Sequence, residues 1–225
     1  MPRFLDRQHA GRELASLLRA YADQPGACLL ALPRGGVPVA FECAQSLHLP
    51  LDVIVVRKLV LPEHPEYAVG AVASPGIRVL DPHLLRRAGI SDDTVQAITQ
   101  TALEELRRRE HLYRGDRPPP DLKGGIAILV DDGLATGYTM RAAVQAVRRL
   151  GPARVVVAVP VASAAACEDV RASAADELQC LWTPDPFTAV SLWYERFEQT
   201  SDEEVHELLL RASLDRPQKQ GDSHG

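Results

Sequence analysis

The sequence predicts an α/β protein built on an open, mainly parallel twisted sheet flanked by helices. Three observations carry that expectation. Residues 27–32, 126–130 and 154–160 are short apolar runs between turn signals, as expected of strands buried on both faces. Two of these runs pass straight into a turn rich in small residues and then into a helical pattern, so a strand–loop–helix unit recurs. The chain has 225 residues and no Pro-rich or Gly/Ser-rich linker that divides it, which favours one α/β domain with embellishments. A chain of this size can bury roughly 70% of its unfolded surface, enough for a self-sufficient core.

Taken in order, residues 7–21 place Ala10, Leu14, Leu17, Leu18 and Tyr21 at helical spacing, with Asp6 as N-cap. Residues 27–32 form the first buried strand and lead through Pro33-Arg34-Gly35-Gly36 into a helix over 39–47. Glycines let the backbone approach an anion, and a guanidinium offers forked donors, so this turn suits a diphosphate. The plain alternative is a βα turn with a solvent-facing arginine. Residues 51–56 read as a strand that ends in Arg57-Lys58. Two adjacent cations there belong in a site or on a surface.

Residues 59–67 mix prolines with charge. A hairpin over 68–74 and 77–80 follows, then a helix over 92–110 capped by Ser91, with Val95, Ile98, Ala102 and Leu106 inward. The basic cluster Arg107, Arg108, Arg109, His111 and Arg114 suits the negative end of that helix, or a diphosphate pocket or subunit contact. Residues 116–120 are an extended, proline-rich loop. Further on, residues 163–174 read as a small-residue helix and 178–182 as a last core strand. Ser201 and Glu204 form a capping box for a final helix, and residues 216–225 read as disordered.

The most informative stretch is Val130-Asp131-Asp132-Gly133-Leu134-Ala135-Thr136-Gly137-Tyr138-Thr139. In an open parallel sheet, ligands bind where strands end and helices begin. A small-residue loop before a helix gathers backbone N–H groups around an anion. Two carboxylates beside such a cradle would repel a phosphate unless ribose hydroxyls or a divalent cation engage them, so the residues point to a sugar phosphate. Neither a G-x-x-x-x-G-K-[ST] loop nor a G-x-G-x-x-G turn is present.

This stretch resembles the phosphoribosyl-pyrophosphate (PRPP) signature of the type I phosphoribosyltransferases. The turn at 33–36 resembles that family's pyrophosphate loop, which implies a cis peptide at Pro33–Arg34. The resemblance implies the family's fold over residues 1–215, with a core at about 27–182, a hairpin/helix insertion at about 68–120 and a C-terminal hood at about 183–200. It implies transfer of ribose 5-phosphate from PRPP to a nitrogenous base, with Mg²⁺ as cofactor. Asp131, Asp132, Arg57 and Lys58 would be catalytic. Arg34, Gly35, Gly36 and residues Gly133, Leu134, Ala135, Thr136, Gly137, Tyr138 and Thr139 would bind substrate. No direct protein ligand to the metal is implied, although Asp131 and Asp132 could hold it through water.

In orotate phosphoribosyltransferases an Arg-Lys pair leads into a mobile loop over PRPP, and residues 59–67 are similar in order, with His64 and Glu66 as lid contributors. The two prolines and scarcity of basic residues depart from that pattern, and a proline-stiffened connection is the alternative. Aromatic residues make up only 5% of the chain, yet Trp182, Phe187, Trp193, Tyr194 and Phe197 cluster near the end. Their order resembles the hypoxanthine-guanine branch, where an aromatic ring covers the purine, which makes Phe187 the stacking candidate. Core or dimer packing accounts as well for Trp193, Tyr194 and Phe197.

The net charge of −5 leaves no basic footprint for nucleic acid, and no apolar run is long enough to span a membrane. Cys28, Cys43, Cys167 and Cys180 lack C-x-x-C spacing and read as buried thiols of a reducing, cytoplasmic protein. The expected partners are PRPP and a base, with a homodimer by family habit. The acceptor is not legible. Two rivals remain: a PRPP- or nucleotide-binding regulator on the same fold, and a phosphate-binding hydrolase, for which Ser163 and Cys167 have no motif context.

Overall fold

A computed structural model describes residues 3–61, 64–80, 82–87 and 89–214; the side chains of 64–67 and 82–84 lie outside that description, and with them the expected lid groups His64 and Glu66. The expected tail at 216–225 also lies outside it.

The α/β expectation holds. Five parallel strands form one sheet: β1 (Ala27–Ala31), β2 (Leu51–Val53), β6 (Ile126–Val130), β7 (Arg154–Val161) and β8 (Glu177–Trp182), in the order β2-β1-β6-β7-β8. Side chains alternate across a strand, so each run buries both faces. Leu29, Ala31, Ile128, Val130, Val156 and Ala158 pack on one side with helices α1 (Arg7–Leu17), α2 (Gly36–Leu47) and α7 (Asp202–Leu214). Cys28, Leu30, Ala127, Leu129, Val155 and Val157 face the other, under α5 (Tyr138–Arg148) and α6 (Ala164–Arg171). That two-sided burial explains why the strands read as continuous apolar runs rather than alternating ones.

The pairing of β1 with β6 matters most for function. Ala31 stands opposite Val130, and the Leu32 N–H donates to the Val130 carbonyl at 2.9 Å. The loops that follow these two strands therefore leave the sheet side by side.

The predicted caps at Asp6, Ser91 and Ser201 are present, and Ser163 supplies a fourth that was not predicted. Asp6 accepts from the His9 N–H, Ser91 from the Thr94 N–H, Ser163 from the Ala166 N–H and Ser201 from the Glu204 N–H. The first helix stops at Leu17, where the Leu18 N–H turns back to the Ala15 carbonyl, and the chain continues as a 3₁₀ turn at Arg19–Tyr21.

The segment after β2 departs from expectation. Residues 51–56 are not one strand with Arg57-Lys58 at its end. The parallel strand stops at Val53, and a new strand, β3 (Val56–Leu61), turns away to pair antiparallel with β4 (His64–Ala73), which pairs with β5 (Ile77–Leu80). At the junction Ser74 Oγ accepts from the Val55 N–H at 3.1 Å, and the Ser74 N–H donates to the Val55 carbonyl at 2.9 Å. Nothing in the β-branched run Val53-Ile54-Val55-Val56 marks this break, because every residue in it suits a strand. Most of the expected lid is thus hairpin, beginning already at Val56.

Helices α3 (Pro82–Arg87) and α4 (Asp92–Arg114) follow. The antiparallel sheet packs between α4 and α5. Helix α4 runs one turn beyond the expected Glu110. Arg114, 8% exposed, is there not to meet the helix dipole alone. It bonds to Asp52 at 3.1 Å, to Glu110 at 3.2 Å and to the Val53 carbonyl at 3.1 Å, tying α4 to β2.

Candidate active site

The first loop turns on the Pro33–Arg34 peptide, which is cis, as the resemblance implied. Gly35 and Gly36 then open α2, whose start has no side-chain cap. Both glycines lie against the neighbouring acidic loop. A Cβ on Gly35 would sit 2.0 Å from Asp132 Oδ2, and one on Gly36 would sit 2.7 Å from the Val130 carbonyl oxygen. Only glycine fits at either position. Arg34 is about one-third exposed, with Nη1 3.9 Å from Asp202 Oδ1 at the start of α7.

The second loop is pinned to the end of β7. The Leu134 N–H donates to the Val161 carbonyl at 2.9 Å, the Ser163 N–H donates to the Leu134 carbonyl, and Ser163 Oγ donates to the Ala135 carbonyl. Ala135 and Thr136 are left exposed above this anchor. Gly137, at φ 66°, turns the chain into α5, again without a side-chain cap. The first N–H groups of a helix lack internal partners, and the start of α5 carries Thr136 and Thr139 beside them. Gly133 packs under the C-terminal segment, where a Cβ would meet Val190 Cγ1 at 2.6 Å.

Asp131 and Asp132 sit between the two loops and differ in their surroundings. Arg7, from the first turn of α1, donates from Nε to Asp132 Oδ2 at 2.8 Å, with the two side chains only 12% and 15% exposed. The Asp132 N–H donates to Asp131 Oδ1 at 2.9 Å, and Tyr194 OH donates to the Asp132 carbonyl at 2.6 Å. Burial pushes the Asp131 carboxyl well above the usual carboxylate range, and the charge of Asp132 adds to that. Burial also raises Asp132, but Arg7 opposes it. Burial and the adjacent carboxylate thus disfavour charge on Asp131, whereas Arg7 supports it on Asp132.

Arg57 and Lys58 are neighbours on β3 and face opposite ways, as successive strand residues must. Lys58 reaches the start of α5, with Nζ 5.0 Å from the centre of the Tyr138 ring, and Tyr138 OH donates to the Gly70 carbonyl at 3.3 Å. Arg57 instead turns toward α4, with Nη1 3.8 Å from Glu105 Oε1. The structure brings Gly35 and Gly36 against Asp132 and Asp131 and sets Lys58 beside Tyr138, while Arg34 points to Asp202 and Arg57 to Glu105. Phe187 is half-buried in an aromatic cluster with Phe4, Trp182, Trp193, Tyr194 and Phe197. Phe4 stacks on Trp182 at 3.9 Å, so the N-terminal segment supports the C-terminal one.

Two residues of this site had no motif to announce them. In the sequence Tyr194 reads as one of the tail aromatics, suited to base stacking or to core or dimer packing, with nothing to link it to Asp132. Arg7 was read only as part of an amphipathic helix, and its one sequence signal is a cation in a first helical turn, where the dipole disfavours it. Arg7 also lines a polar cavity of about 430 Å³ with Asp6, Arg196 and Glu204. Among the described residues no group of three or more His, Cys, Asp or Glu side chains could hold a metal by itself.

Known proteins place the chain in a family. A family model described as the phosphoribosyl transferase domain matches residues 5–189. The chain is 46% identical over 218 residues to a Mycobacterium tuberculosis protein, present in strains CDC 1551 and H37Rv and provisionally named phosphoribosyl transferase. That match takes in 96% of this chain and 48% of the relative, so the chain spans about half the length of the curated relatives it matches. The crystal structure of TT1426 from Thermus thermophilus is similar, with TM-score 0.82 at 44% identity, over 93% of this chain and 98% of that one. Among the described residues no helix is long and apolar enough to cross a membrane. The chain belongs to the phosphoribosyl transferase domain family.

Proposed function

We propose that this protein transfers ribose 5-phosphate from PRPP to a nitrogenous base and releases pyrophosphate. One observation carries the reading: the loops after β1 and β6 leave adjacent strands and touch, with Gly35 and Gly36 pressed on Asp132 and Asp131. A substrate with a phosphate at one end and a diphosphate at the other fits that pair of cradles, and the carboxylates lie between.

Backbone N–H groups of 133–139, with Thr136 and Thr139, hold the 5-phosphate. A carboxylate of the Asp131–Asp132 pair takes the ribose hydroxyls. Arg34, the 35–36 backbone and Lys58 hold the diphosphate, and Arg57 joins them if it leaves Glu105. Phe187, or the cluster that carries it, covers the base.

In the reaction the C1–O bond breaks and its electron pair leaves with pyrophosphate. The base nitrogen forms the new bond to C1 with its lone pair, and its proton passes to solvent. The transition state is cationic at the sugar, so carboxylates beneath the ring lower its energy.

Mg²⁺ fits this donor set: one or two carboxylates with substrate oxygens and water is the usual manner of holding it, and the Arg7 hydrogen bond goes to Asp132 rather than to Asp131. When bound, the ion neutralises charge on the diphosphate.

A second reading, a non-catalytic PRPP-binding regulator, draws on the internal pairing of Asp132 with Arg7 and of Arg57 with Glu105. Incubation with Mg-PRPP and a panel of bases, following pyrophosphate, tests both. Base-dependent release supports the transferase; PRPP binding without release for any base supports the regulator.

A further inference from the structure

We propose that Arg7 is a positioning residue that commits Asp132 to the scaffold and leaves Asp131 as the carboxylate that meets the ribose hydroxyls; this rests on the phosphoribosyl-transfer reading and divides a pair that the motif presents as equivalent.

Asp132 is engaged through its side chain, its carbonyl and its N–H. Oδ2 accepts from Arg7 Nε at 2.8 Å, the carbonyl accepts from Tyr194 OH at 2.6 Å, and the N–H donates to Asp131. Against the same oxygen, Gly35 leaves no room for a methyl group. Arg7 is held in turn. Its Nη1 donates to the Glu198 carbonyl at 2.7 Å, and its guanidinium carbon lies 3.8 Å from the centre of the Phe197 ring. Phe197 packs on Tyr194, with ring centres 5.0 Å apart.

The contacts close a circuit from Arg7 to Asp132, Tyr194, Phe197 and back to Arg7. Three parts of the chain meet in it: the first turn of α1, the loop after β6 and the C-terminal segment. Asp131 has no such brace. Its carboxylate accepts the Asp132 N–H and shares a side-chain hydrogen bond with Asp132, and Arg7 acts on it through charge without bonding to it. A guanidinium fork locked between a ring and a carbonyl is a fixed counter-charge and will not follow a substrate.

The test is steady-state pyrophosphate release against PRPP concentration, with urea midpoints, for wild type, R7K, R7M, D132N, R7M/D132N and D131N. Loss of Arg7 leaves Asp132 as a buried, unpaired charge facing phosphates, so R7M should raise the KM for PRPP by about tenfold while kcat changes less than about threefold. R7K should recover part of that shift. D132N should change KM less than about threefold, and R7M/D132N should come back toward wild type because neither partner is orphaned. D131N should lower kcat by about a hundredfold or more.

A purely structural Arg7 would move the urea midpoint and leave KM alone, which would overturn the proposal. So would D132N matching D131N, or a double variant no better than R7M. Should R7M fail to fold, R7K and D132N carry the same comparison. A wild-type chain that neither releases pyrophosphate nor binds PRPP overturns the transferase reading instead; the Arg7–Asp132 coupling is then judged from the urea midpoints, and strictly additive changes there overturn it.

Discussion

Gly35 lies so close to Asp132 that a methyl group on its α-carbon would stand 2.0 Å from Oδ2, a carboxylate oxygen already fixed by Arg7. The contact joins the loop after β1 to the loop after β6, so neither moves alone. Gly36 meets backbone, the Val130 carbonyl oxygen at 2.7 Å and Asp131 Cα at 2.9 Å. Backbone within a sheet yields less than a side chain. Gly36→Ala should therefore cost more stability than Gly35→Ala, within the ~1–3 kcal/mol range of overpacking. Both should abolish PRPP binding. Urea denaturation with calorimetric PRPP titration checks this, and wild-type binding by either variant contradicts the joined-loop geometry.

Asp131→Asn should remove catalysis without harming the fold. Burial and the adjacent carboxylate already disfavour the charge on Asp131, so a neutral isostere relieves repulsion. The thermal midpoint should stay level or rise while pyrophosphate release falls by about a hundredfold or more. A midpoint that falls in step with activity would assign Asp131 a structural role.

Lys58 and Arg57 should separate in kinetics. Lys58 lies by the Tyr138 ring at the start of α5, and Arg57 turns to Glu105 on α4. Lys58→Met should raise the KM for PRPP clearly more than Arg57→Met, with the gap narrowing at high salt as charge attraction is screened. Equal effects at low salt would mean that Arg57 crosses to the cleft when PRPP binds.

Arg114 carries stability rather than chemistry. Removing it orphans Asp52 and Glu110 at a site where the guanidinium is 8% exposed. Arg114→Met should cost about 3–5 kcal/mol, the usual result of breaking one side of a buried pair. The KM for PRPP of the folded fraction should not move. A cost under about 1 kcal/mol would mean that the pair behaves as a surface salt bridge.

Glu105 predicts part of the acid limb of stability. Its bonds to Arg108 and Arg109 hold the carboxyl down at about 2, against an ordinary 4.5. A pKa lower in the folded state gives stability that is complete above the unfolded value and is lost as pH falls toward the folded one. Between pH 4.5 and 2, Glu105→Gln should flatten the fall of the urea midpoint relative to wild type. Parallel curves through that window would show that the three side chains do not hold together in solution.

Local chemistry accounts for what the sequence alone determined. The buried strands at β1, β6 and β7, the capped helix starts and the two glycine loops all rest on residues within a few positions of one another: continuous apolar runs, cap oxygens three residues ahead of an N–H, and glycines where backbone approaches backbone. The acidic pair after β6 was legible for the same reason. The cis Pro33–Arg34 bond came from resemblance, not from any physical signal in those residues.

Tertiary structure decided the rest. The run from Val53 to Val56 breaks into two sheets because Val55 finds Ser74, nineteen residues on. Arg57 and Lys58 part company because the strand that holds them passes between two helices. Arg7 reaches Asp132 across 125 residues of chain. Periodicity tells which face of an element is buried and not which distant group it will meet, since that partner is selected by the packing of the whole fold. The motif thus determined that two carboxylates stand between a buried strand and a small-residue loop, and only the folded chain decided that one of them is held by an arginine.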